Sequence, residues 1–214
     1  MDEEITIIDT NARNERIKNF FINNKKKLII TVSIISVIII GYLSFENSKE
    51  KNKIKLANQY NLALIDLNPE NKQKTIDEMI NVVKSNDATY SPLALYHLLD
   101  NNLLENNDEI NILFDELIEK TNLDNEIRNL IIYKKALFNS EFVSENELLK
   151  ILNPVINSES IWKSHALYLL AEFFYSKEEK QKAKEFFNQI IVLPNANSAI
   201  KTDSQKRLNR DLGE

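Results

Sequence analysis

Few side chains in this sequence have the type and spacing to do chemistry. Ser164 and His165 are adjacent, but neighbours on a helix point about 100° apart, so they do not face one another as a nucleophile and base must. His97 and Asp100 stand three apart, close enough to hydrogen-bond along a helix, and read as a satisfied surface or groove pair. The acidic pairs Asp108-Glu109 and Asp115-Glu116 fall on polar faces open to solvent, and no calcium-loop spacing is present.

The scarce residue types exclude more. The chain has no cysteine, so it has no disulfide framework, thiolate nucleophile, iron–sulfur cluster or cysteine zinc site. Its two glycines are Gly41, inside an apolar run, and Gly213, so no glycine-rich loop can bring backbone amides around a phosphate. With 27 basic and 32 acidic residues the net charge is -5, which offers no general attraction to nucleic acid. The expectation is a protein without catalytic, metal or cofactor residues that acts on other proteins.

One polar pattern recurs, a tyrosine followed four residues on by a carboxylate: Tyr96 with Asp100 and Tyr168 with Glu172. Two readings are open. The tyrosines pack between neighbouring helices, or the pairs line a partner groove of aromatic platforms and acidic acceptors flanked by His165 and Tyr175. Trp162, the only tryptophan, has the same two readings: packing against the preceding helices, or anchoring a partner.

These residues must be held by helices. Leu28–Phe45 is free of charge over 18 residues, which as a helix covers roughly 27 Å and nearly matches a bilayer core. The hydroxyls of Thr31, Ser33, Ser36 and Ser44 can bond back to the helix's own carbonyls, leaving every face fit for lipid. No alanine follows until Ala57, unlike the small-residue end of a cleaved signal, so the run reads as a retained transmembrane anchor. Arg13, Arg16, Lys18 and the Lys25-Lys26-Lys27 cluster precede it, while Lys49, Lys51, Lys53 and Lys55 follow. This bias puts residues 1–27 in the cytoplasm as a mixed-charge tail and the bulk of the chain outside, in the periplasm of a bacterium. Ile17, Phe20, Phe21 and Ile22 read as juxtamembrane padding or a short interfacial helix.

Residues 46–214 suffice for one domain, and their apolar residues recur at three and four, so the expected fold is all-α. Helices are expected around Ile54–Leu67, Ile76–Val83, Ser91–Asp100, Ile110–Ile118, Glu126–Phe138, Glu145–Leu152, Trp162–Tyr175, Glu179–Val192 and Asn197–Leu212. The four prolines mark the breaks, with Asn68-Pro69 closing the first helix and Ser91 capping the third ahead of Pro92. Ser91–Asp100 and Lys163–Glu172 superpose at a shift of 72, matching Ala94, Leu95 and Tyr96 with Ala166, Leu167 and Tyr168. Half that shift is near the period of stacked helix pairs.

The unit Leu167, Leu170-Ala171, Phe174, Ala183, Phe187, Ile190 resembles the tetratricopeptide repeat, with Ala171 and Ala183 allowing two helices to approach and Phe174 and Phe187 filling the space beside them. It departs from that motif at Ile190, where a small residue is usual, and in the turn Lys177–Lys180, which lacks glycine and asparagine. The expected architecture is a transmembrane helix followed by a solenoid of antiparallel helix pairs.

A short tail, one span and an outward tetratricopeptide-like domain together resemble the ancillary SecYEG translocon subunit family of bacterial inner-membrane proteins. That resemblance implies a non-catalytic role beside the export channel, with periplasmic repeats contacting SecYEG components, periplasmic chaperones or exported chains. An envelope-assembly or cell-division scaffold would share the architecture, and an enzyme accessory is the rival from another class.

Overall fold

Apolar residues three and four apart produce helices throughout and, among the described residues, no strand. The computed structural model describes residues 2–68 and 70–212. Pro69, expected to close a helix, and Gly213 lie outside these residues. In order the helices are α1 (Asp2–Ile65), α2 (Lys72–Val83), α3 (Tyr90–Asp100), α4 (Asn107–Lys120), α5 (Asn125–Asn139), α6 (Glu145–Ile156), α7 (Lys163–Ser176), α8 (Lys180–Val192) and α9 (Ser198–Arg210). The chain divides into two units within α1, at Lys55 and Leu56. The charged stretch Glu46–Lys55 therefore belongs with the first unit rather than with the packed one.

The first unit is helical from Asp2, so the mixed-charge stretch before the apolar run is helical as well. α1 is the one helix among the described residues long and apolar enough to cross a membrane, and none of its apolar run is buried in protein. Thr31 Oγ1 donates to the Lys27 carbonyl at 3.0 Å and Ser36 Oγ to that of Val32 at 2.9 Å, the inward bonding expected of hydroxyls on an apolar helix.

The second unit holds two cores. Ala63, Met79, Val82, Leu95, Leu98, Leu113 and Phe114 belong to the first, built around α2, α3 and α4. The second, around α5 to α9, buries all seven residues of the repeat-like unit: Leu167, Leu170, Ala171, Phe174, Ala183, Phe187 and Ile190. α5 separates the two. Its neighbours Ile131 and Ile132, about 100° apart on the helix, enter the first and second core respectively.

Side-chain caps set several boundaries. Asn106, Asp124 and Asn197 accept amide hydrogens at the starts of α4, α5 and α9, and Ser144 with Glu147 forms a reciprocal capping box on α6. Two expectations are corrected. Ser91 is not the cap of α3: Asp87 Oδ1 accepts from the amides of Thr89 and Tyr90 at 2.9 and 2.8 Å. Ser91 lies inside the first turn, buried, and its hydroxyl donates to the Val82 carbonyl at 2.8 Å. The prolines do not all mark breaks either, because Pro154 lies within α6, which runs on to Ile156. Proline costs a helix the amide bond to the carbonyl four residues back, and in a last turn few further bonds are lost with it.

The helices α2, α4, α6 and α8 begin at residues 72, 107, 145 and 180, and α3, α5, α7 and α9 at 90, 125, 163 and 198, so each set recurs every 35 to 38 residues. The ends of the equivalent helices α3 and α7 share a turn. Asn102 and Glu178 take the left-handed conformation (φ 49° and 62°), and the next amides, Leu103 and Glu179, reach back to the carbonyls of Leu98 and Phe174 at 2.9 Å. This is a Schellman ending, which favours glycine or asparagine at the left-handed residue.

Candidate functional site

The tyrosine–carboxylate pairs lie on alternate helices, and each meets the next member of that set. Between α3 and α5, the Lys134 ammonium sits 4.5 Å from the centre of the Tyr96 ring. The Tyr96 hydroxyl is buried without a hydrogen-bond partner, and burial pushes its pKa well above the ordinary phenol value. Asp100 is exposed. His97 does not hydrogen-bond Asp100: Nδ1 lies 3.2 Å from the Asn101 amide nitrogen, and Nε2 is buried without a partner. Desolvation lowers the pKa of this histidine, and the Asp100 charge only opposes that shift.

Between α5 and α7 three rings gather. Tyr133 stacks on Trp162 with centroids 6.0 Å apart, and His165 lies 5.8 Å from Tyr133 and 5.0 Å from Trp162. The His165 Nδ1 is buried without a partner, and burial lowers its pKa, against the opposing pull of the Ile161 backbone. Ser164 is turned away from it, buried, and accepts from the Asn197 amide at 3.2 Å, so the adjacent serine and histidine do separate structural work.

The α7–α9 contact is the most developed. Arg207 grips Glu172 with two bonds, Nε to Oε1 at 2.8 Å and a terminal nitrogen to Oε2 at 2.6 Å. It also bonds Asp211 at 2.9 Å and lies 5.0 Å over the Tyr175 ring. Hydrogen bonds to Arg210 and Arg207 hold the Asp211 carboxyl far below the ordinary carboxylate range. Tyr168 packs edge-on against Phe187 at 5.7 Å, and its phenol is raised first by burial and then by Glu172. Five of the six residues singled out from sequence thus fall into three contacts, Tyr96 at α3–α5, His165 at α5–α7, and Tyr168, Glu172 and Tyr175 at α7–α9, while Asp100 is exposed on α3.

A different surface escaped the sequence reading. α4 and α6 flank α5 without closing over it, leaving a groove of about 820 Å³ whose floor includes Ile132, Lys135 and Asn139 of α5. Asn139 is buried and exchanges two bonds with Asn111 of α4, at 3.0 and 2.8 Å; Lys135 pairs with Asp115. The signal available beforehand was the polar stripe Asn107, Asn111, Asp115 on α4, where a face sealed against a neighbour would be apolar. Among the described residues no group of three or more His, Asp or Glu side chains is placed to hold a metal ion. No family model, curated protein or solved structure matches the chain.

Proposed function

We propose that this chain is a single-span membrane protein whose helical unit binds other proteins and performs no chemistry of its own. It works beside the SecYEG translocon, with its amino terminus cytoplasmic and its helix pairs in the periplasm of a bacterial inner membrane. The observation that carries the reading is the conjunction of the exposed apolar run of α1 with two helix sets of 35- to 38-residue recurrence. Left in water, side chains such as Val37 and Ile38, 69% and 64% exposed, would each forgo about 1.5–3 kcal/mol of burial; lipid removes that cost. The basic cluster Lys25-Lys26-Lys27 supports the orientation. Helix pairs recurring at this period, with a repeat-like unit buried from Leu167 to Ile190, support a tetratricopeptide-like solenoid offering a long surface to partners. The translocon assignment rests on the resemblance of the whole layout to its ancillary subunit.

Affinity purification of the tagged full chain after mild detergent extraction tests this. Recovery of SecYEG components is the expected result. Recovery of the intact chain from the aqueous fraction, or purification from membranes without any translocon component, would overturn it.

A further inference from the structure

The groove over α5 has the dimensions and charge of a peptide site. Its α4 wall runs from Asn107 to Glu119, and so covers about 18 Å of helix, which an extended chain spans in about five residues. Its volume of about 820 Å³ falls in the range of ligand-holding clefts, roughly 300–1,000 Å³. Phe142, 49% exposed, and Val143 offer apolar surface at one end, where Phe142 is braced edge-on against Phe138 at 5.3 Å.

The charge is one-sided once internal pairs are set aside. Asp115 is neutralised by Lys135, and among the other lining residues Asp108, Glu119 and Glu147 outnumber Lys150. Asp108 and Glu119 stand one toward each end of the α4 wall, and neither is in an ion pair among the described residues. The opposite wall is α6, whose Glu147, Lys150, Ile151 and Pro154 line the groove.

We propose that the α4–α5–α6 groove docks an extended segment of a partner protein, about five residues long. The segment carries basic side chains toward Asp108 and Glu119 and an apolar side chain over Phe142 and Val143. This deepens the reading of the chain as an interaction protein and rests on it, supplying the chemistry of the partner. It places recognition on the face of α4 and α6, away from the tyrosine contacts of α3, α5, α7 and α9.

The test uses the full chain in detergent micelles and a fluorescein-labelled heptapeptide with two lysines flanking leucine and phenylalanine, followed by anisotropy. The expected result is saturable binding, weakened about tenfold by Asp108→Asn with Glu119→Gln, the effect of losing two surface charge contacts. Binding should be lost when glutamates replace the peptide's lysines. The Asp108 and Glu119 side chains are both exposed, so the thermal midpoint of the double variant stays close to that of the unmodified chain and the loss is one of binding, not of folding. Absence of binding to the unmodified chain, or equal binding by the unmodified chain and the double variant, would overturn the groove. Recovery of SecYEG by a chain that binds no peptide would leave the interaction role standing without this site; peptide binding without SecYEG would keep the site and remove the translocon.

Discussion

The contact of α3 with α5 and that of α7 with α9 begin from the same pattern, a tyrosine with a carboxylate one turn on, and end differently. At α7–α9 the facing helix supplies Arg207, whose planar fork engages Glu172 with two bonds and still reaches Asp211 and the Tyr175 ring. At α3–α5 the facing helix supplies Lys134, a point charge that lies over the Tyr96 ring, while Asp100 stays in solvent. The local pattern therefore decides neither outcome; the shape of the cation on the next helix does.

Breaking the stronger contact should have the largest effect. Arg207→Ala is expected to destabilise the helical unit by about 1–2 kcal/mol, through lost charge-assisted bonds and carboxylates left without their partner. Arg207→Lys should restore little of it, because an ammonium cannot reproduce the fork. Lys134→Ala should cost less, about 0.5–1 kcal/mol, the scale of one cation–π contact. Thermal denaturation of the full chain in detergent, followed by far-ultraviolet circular dichroism, measures both; equal losses would erase the distinction.

The turns that end the two equivalent helices sharpen it. Asn102 tolerates the left-handed conformation and Glu178 does so less well. Glu178→Gly is expected to raise stability by about 0.5–1 kcal/mol, whereas Asn102→Gly should change it less. A lowered midpoint for Glu178→Gly would mean that its side chain makes an interaction worth more than the strain.

The smallest effect is read in pH. His97 at the α3 end and His165 between α5 and α7 both have pKa values lowered by burial from the ordinary 6.5. Below 6.5 the unfolded chain takes up protons that the folded one resists, so the stability these histidines contribute is present above that value and is lost as pH falls toward their folded values. His165→Phe should flatten the decline in thermal midpoint between pH 7 and 5.5 more than His97→Gln does, because His165 sits between two aromatic rings. An unchanged slope in both variants would remove the histidines as its cause.

Helices were legible in the sequence because each needs only an apolar stripe, and the stripes of α3 and α7 even matched residue for residue from Ala94 to Tyr96 and from Ala166 to Tyr168. The environment of those tyrosines was not legible. Arg207 lies 35 residues from Glu172, and nothing local to either residue announces the bond. Pro154 does not mark a break because its cost to a helix depends on how much helix remains beyond it. The groove was hidden for a related reason: it exists because two helices stop short of each other, and the Asn111–Asn139 exchange at its floor spans 28 positions. Distance along the chain, more than weakness of signal, separates what was read from what was missed.

The placement of Ile131 and Ile132 in different cores makes α5 a party wall. Inserting a single residue ahead of this pair would turn each isoleucine by about 100° and evict both from their rooms together, so damage on one side of the wall is shared with the tenant on the other. The two halves of the helical unit are consequently expected to melt as one.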